Sequence, residues 1–195
     1  SGLASIMPEY FTDALGKLAA IPVVAQAVNA MNGVGVARSA MQSVLGVHKD
    51  RVLPPFAPKK FRSGARPEAS FGVRPGERTP GKVAVFSTCY VNYNEPGIGD
   101  DLLALLAHNE IPAVIVEKEA CCGMPKLELG DLDQVEKLKN INIPSLVKLA
   151  REGYAILAPV PSCALMFKSE LPLMFPDDAE VALVADAMFD PFEYF

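Results

Sequence analysis

The sequence predicts an α/β domain, a parallel βαβαβ sheet preceded by a helical arm and a proline-rich linker. Three observations carry that expectation. The second half of the chain alternates short β-branched runs with amphipathic helical stretches. Strand, helix, strand, helix, strand is the pattern of a parallel sheet joined by right-handed crossovers. The basic stretch before it is crowded with proline, and the stretch before that is rich in Ala, Val and Met at helical spacing. The boundaries read as a helical arm at 1–53, a basic linker at 54–81 and a cysteine-rich α/β domain at 82–195.

In the arm, Phe11 to Met31 and Ala37 to Val47 place apolar residues at mixed three- and four-residue intervals, with glycines marking the ends. The linker holds Pro54, Pro55, Pro58, Pro67, Pro75 and Pro80 together with Lys59, Lys60, Arg62, Arg66, Arg74 and Arg78, so it reads as an extended, solvated connector. Lys82 to Ser87 is the first strand and Gly99 to Asn109 an amphipathic helix carrying Leu102, Leu103, Leu105 and Leu106. Ile111 to Val116 is the second strand. A helical stretch from Leu132 to Glu152, interrupted around Pro144, leads to a third strand from Tyr154 to Pro159. Asp177-Asp178 reads as a helix cap, and Phe189 to Phe195 as an aromatic end.

Composition narrows the function. The chain has 195 residues, half of them apolar, with a net charge of −5 and four cysteines. Residues 1–81 carry ten basic and five acidic groups, residues 82–195 eight basic and eighteen acidic. An acidic domain is a poor binder of phosphate backbones, so no nucleic-acid partner is expected. Four cysteines are too few for a disulfide scaffold, and the opening Ser1-Gly2-Leu3-Ala4 is unlike a signal peptide, so a reducing, cytoplasmic setting is expected. The charge-free stretch from Leu18 to Ala37 is interrupted by Pro22, Gln26, Asn29, Asn32, Gly33 and Gly35, which suit a buried or interface helix better than a membrane span. Gly97-Ile98-Gly99 lacks the third glycine of a dinucleotide fingerprint, because Leu102 stands there. His48 and His108 read as surface residues, and Glu117, Glu119, Asp131 and Asp133 as a solvated acidic rim.

The cysteines carry the chemistry. Each predicted strand runs into one: Cys89 after the first, Cys121-Cys122 after the second, Cys163 after the third. In parallel sheets, the loops beyond the carboxyl ends of strands converge, so residues with 31 and 40 others between them become neighbours. Pro161-Ser162-Cys163 opens a helix, where the dipole favours a thiolate. Four convergent thiolates match an iron–sulfur cluster or a structural zinc, and adjacent cysteines suit a polynuclear cluster better than a zinc knuckle.

Cys89, then Cys121-Cys122-Gly123-Met124-Pro125, then Pro161-Ser162-Cys163-Ala164-Leu165 resembles the cysteine-rich CCG domain. That domain occurs in a subunit of heterodisulfide reductase, in the iron–sulfur subunit of anaerobic glycerol-3-phosphate dehydrogenase, and in the iron–sulfur subunits of glycolate and lactate oxidation. The resemblance covers residues from about 82 to 195. It implies that Cys89, Cys121, Cys122 and Cys163 ligate an iron–sulfur cluster, 4Fe-4S, with zinc as the alternative. It further implies electron transfer from a flavoprotein dehydrogenase subunit towards a quinone-reducing or membrane partner, with the chain peripheral on the inner face of the membrane. Met166 stands where the fullest motif has a further cysteine, which counts against a five-thiolate cluster and ranks a heterodisulfide or thiol reductase subunit third among the readings. Family members carry ferredoxin cysteines before this region and a second cysteine-rich repeat after it, so the chain reads as a piece of a longer one. A zinc-binding or assembly module that docks a dehydrogenase is the rival of a different class.

Overall fold

The structure, a computed structural model, describes residues 22–45 and 48–195. Its centre is a four-stranded parallel sheet of β1 (Val83–Val85), β2 (Ala113–Ile115), β3 (Ala155–Leu157) and β4 (Met188–Phe189), in the order β2-β1-β3-β4. β1 pairs with β2 from Val83 against Ala113, and with β3 from Val83 against Ala155. β4 pairs with the end of β3 through Ile156 and Leu157. The strands are apolar throughout because both sheet faces are covered, as crossover connections require. Residue alternation then splits the core into two layers. Ala84, Phe86, Ile156 and Ala158 point to one layer, and Val83, Val85, Ala155 and Leu157 to the other.

The first layer rests on one long helix, one short helix and a bent one. Helix Leu132–Arg151 buries Val135, Leu138, Ile143, Leu146 and Val147. It is continuous through Pro144, where the sequence predicts an interruption. The lost backbone hydrogen bond is outweighed by the apolar stripe that packs on the sheet. Asp178 caps helix Ala179–Ala187 by accepting from the Glu180 and Val181 N–H groups. Helix Pro161–Leu165 widens into a π-helical turn at Met166–Glu170 before Leu171–Met174. Pro172 in that last turn has no N–H to offer the Lys168 carbonyl, a recognised cause of such widening. Met166 and Phe167 are both buried there, and Phe167 meets Phe86 edge-on at 5.1 Å.

The second layer is made by helix Pro96–His108, which buries Leu102, Leu103 and Leu106, and by an unexpected contributor. The stretch from 54 to 81 reads as a solvated connector, yet Phe61 is 2% exposed and Ala65 is buried in this core. Phe61 opens a single helical turn, Phe61–Gly64. Its ring lies so close to Gly99 that a Cβ there would approach within 2.6 Å, so Gly99 serves close packing. Flanking backbone is tied down too, by Ala57 N–H to the Tyr93 carbonyl and Ala113 N–H to the Glu68 carbonyl. Composition marks this segment as polar, and a single aromatic anchor overrides it.

Upstream, helices Pro22–Asn32 and Gly35–Leu45 break at Gly33, as the glycines predict. The 11–21 part of the first predicted arm helix and the Val47 end of the second lie outside the described residues. No helix among the described residues is long and apolar enough to cross a membrane. The aromatic end folds back in part: Tyr194 is buried and meets the Phe189 ring at 5.8 Å, whereas Phe192 projects into solvent.

Candidate metal centre

The strand order reverses between β1 and β3. At that point the connections leave in opposite directions and open a crevice beyond the carboxyl ends of the strands. All four cysteines sit at this edge. Cys89 begins helix Cys89–Tyr93 four residues after β1 ends. Thr88, just before it, adopts φ 63° and ψ 154°, a conformation that costs a β-branched residue about 1–3 kcal/mol. The strain is held by burial of Thr88 and by its hydroxyl, which accepts from the Val91 N–H at 3.3 Å. This kink turns the chain from strand to helix in so few residues that Cys89 faces the crevice. Nothing in the sequence marks Thr88, since Thr is common at helix caps.

Cys121 and Cys122 lie in the loop after β2. Gly123 follows with φ 103°, a backbone state that L side chains rarely adopt, and starts helix Met124–Glu128. The loop is held from beneath by Asn142, a fully buried residue in the middle of helix Leu132–Arg151. The Asn142 Oδ1 accepts from the Ala120 N–H at 2.7 Å, and its Nδ2 donates to the Cys121 carbonyl at 3.0 Å. Ser145, one turn on, donates to the Lys118 carbonyl. Cys163 sits in the first turn of helix Pro161–Leu165 and is buried, as the Pro-Ser-Cys pattern predicts.

The four thiols form a row. The Sγ atoms of Cys89 and Cys121 are 4.0 Å apart, and Cys122 interacts with both Cys121 and Cys163. Exposure falls along the row, from Cys89 at the surface through half-buried Cys121 to buried Cys122 and Cys163. Hydrogen bonds from Cys122 and Cys89 draw the Cys121 thiol down to about 3, aided by the Gly123 N–H and the Lys126 charge and opposed by burial. The same hydrogen bonds push Cys89 and Cys122 up, because each is the donor to a thiolate, and burial adds to that. Cys89, Cys121 and Cys122 therefore titrate together, in steps that belong to the three and not to one residue. A metal group loaded onto the row displaces the protons that its thiols hold.

A cleft of about 770 Å³ opens over Cys89 and Cys121, with Lys60, Arg62, Thr88, Tyr93, Glu119 and Ile141 around it. Glu119 corrects the solvated-rim expectation. Its side chain is 9% exposed, it pairs with Arg62 at 3.2 Å, and it accepts from the Ser87 N–H at 2.9 Å. Burial pushes its carboxyl up, while Arg62 and the Ser87 N–H pull it down. Asp131 instead caps helix Leu132–Arg151 through the Gln134 N–H, and Asp133 is exposed. His48 is a surface residue, as expected.

A soft donor set of four thiols suits zinc or an iron–sulfur cluster by ligand chemistry. Among the described residues, no three His, Cys, Asp or Glu side chains surround a single point as ligands of one metal ion would. The zinc alternative therefore draws no support from the geometry. A polynuclear group gives each thiolate a separate metal atom, so it does not require the thiols to share one ion as zinc does.

Residues 83–168, the span from β1 through the π-helical turn, match the family described as the cysteine-rich domain CCG. This segment is a CCG domain. Over 162 residues, 83% of the chain, the protein is 27% identical to a subunit of the anaerobic glycerol-3-phosphate dehydrogenase of Escherichia coli strain K12. It is 32% identical over 104 residues, 53% of the chain, to a subunit of the fumarate reductase (CoM/CoB) of Methanothermobacter marburgensis. It is also 32% identical over 75 residues, 38% of the chain, to an iron–sulfur protein of Methanocaldococcus jannaschii. The chain spans 39%, 19% and 15% of the lengths of these relatives. No solved structure matches it. The CCG domain holds all four cysteines, whereas Phe61 and Arg62 lie outside it.

Proposed function

We propose that this chain is the cluster-bearing part of an electron-transfer subunit in an oxidoreductase complex, with Cys89, Cys121, Cys122 and Cys163 ligating a 4Fe-4S cluster. The observation that carries the reading is the meeting of every cysteine in the chain in one row at the switch point of the sheet. The relatives support it, since they include dehydrogenase and reductase subunits and an iron–sulfur protein. The cluster, when bound, takes up and releases one electron at a time. The chain's own groups do the rest. The buried thiols at one end keep water away, and the cleft over Cys89 lets a partner approach the other end.

In this reading electrons arrive from a flavoprotein dehydrogenase subunit and leave towards a quinone-reducing or membrane partner, with the chain peripheral on the cytoplasmic face. Transfer of this kind needs no acid, base or nucleophile from the chain.

The test is redox cycling of protein purified without oxygen. Visible absorption should bleach on reduction with dithionite and return on addition of a water-soluble quinone. A colourless protein would overturn the cluster. A coloured protein that quinone leaves reduced would overturn the route to quinone and keep the cluster.

A further inference from the structure

Arg62 belongs to the segment before the CCG domain, yet it touches both loops that carry the outer thiols. Its Nη1 donates to the Glu119 carboxylate at 3.2 Å and to the Ser87 hydroxyl at 3.3 Å, and its Nη2 donates to the Glu117 carbonyl at 2.8 Å. Its backbone N–H reaches the Asn92 Oδ1 at 3.1 Å, in the helix that Cys89 begins. Glu119 closes the ring by accepting from the Ser87 N–H. Ser87 lies two residues before Cys89, and Glu119 two residues before Cys121. One guanidinium thus clamps the two loops at equivalent points just ahead of their cysteines. A planar fork with several donors in fixed directions is what such a clamp requires, and lysine lacks it. The fork is held in turn by Phe61, whose buried ring leaves no room for a Cβ on Gly99.

We propose that Arg62 is a positioning residue for the metal centre: it sets the spacing between the Cys89 and Cys121 sulfurs by tying their loops together from outside the CCG domain. The inference rests on the cluster reading for its redox consequence, though the clamp itself does not. It makes residues 57–65 part of the site. A metal centre's properties depend on the groups that orient its ligands as well as on the ligands themselves.

The experiment uses the full chain with Arg62→Met, Arg62→Lys, the double variant Arg62→Met/Glu119→Met, and Arg74→Met as a control at an exposed ion pair with Glu110. In metal-free, reduced protein, thiol labelling by an aromatic disulfide reagent is followed cysteine by cysteine by mass spectrometry. Arg62→Met should speed labelling of Cys89 and Cys121 about tenfold and leave Cys163 unchanged, with Arg62→Lys between it and the parent. The double variant, which leaves no orphaned carboxylate, should label as fast as the single one and carries the test if the single variant is unfolded by circular dichroism. In iron-loaded protein, Arg62→Met should lower the one-electron reduction equilibrium about tenfold, about 59 mV, because it removes a positive charge beside the thiols. The double variant should recover most of that shift, since it removes a balanced pair. Parental labelling rates at Cys89 and Cys121 in the folded variants would overturn the proposal. Failure of the parent to take up iron would overturn the cluster reading and leave the labelling comparison standing.

Discussion

At the scale of single residues, the centre depends on polar groups buried for a purpose. Asn142 satisfies the Ala120 N–H and the Cys121 carbonyl at once. Asn142→Leu fits the surrounding core but leaves both backbone groups unpaired, at about 1–3 kcal/mol for a buried orphan. Urea unfolding should show a loss of that size, together with a lower capacity to retain metal. Asp178 works differently. It caps a helix and pairs with Lys139 at 2.8 Å, and that hydrogen bond holds its carboxyl below the ordinary value of 3.8. Asp178→Ala should cost about 1 kcal/mol through the cap alone. Because the folded-state carboxyl is lowered, its contribution is complete above the ordinary carboxylate range and disappears as pH falls through the lowered value. The gap between parent and variant, measured by thermal melts, should be full at pH 7 and close towards strongly acid pH. Asp178 is legible in the sequence because a carboxylate before an apolar run marks a cap. Asn142 is not, because one amide between two isoleucines resembles any surface position until the helix is turned against the sheet.

At the scale of elements, the three strands and the helix after the first are legible because β-branched runs and leucine spacing report burial directly. The fourth strand, Met188–Phe189, is too short to show any period. The π-helical turn is equally silent, since its cause is a proline one turn further on. The segment around Phe61 reads as solvated for a physical reason. Proline and charge dominate its composition, and the single ring that docks it contributes little to any average. Phe61→Ala should cost about 3–5 kcal/mol as a large-to-small core change. Gly99→Ala should disturb the same seat from the opposite side, at about 1–3 kcal/mol for overpacking. Limited proteolysis should then cut between residues 54 and 70 in both variants and spare that stretch in the parent. Equal resistance would mean that the segment is held by its backbone hydrogen bonds and that the ring is incidental.

For the whole molecule, the order β2-β1-β3-β4 turns distant cysteines into neighbours, because the reversal between β1 and β3 opens the sheet edge where three loops meet. That much follows from the alternation of strands and helices with a cysteine after each strand. The half-buried Arg62–Glu119 pair does not, as its partners are 57 residues apart and each sits in a run that reads as solvated. The relatives are all longer than this chain, so its partners are best sought by what docks over Cys89. The function proposed for the chain requires the cysteine row to hold one polynuclear iron–sulfur group. The most direct measurement is iron and acid-labile sulfide per chain in protein purified without oxygen, for the parent and for Cys163→Ser. A cluster on all four thiolates predicts about four of each in the parent and a collapse of both in the variant. Zinc in place of iron, or an undiminished iron and sulfide content in Cys163→Ser, would contradict it.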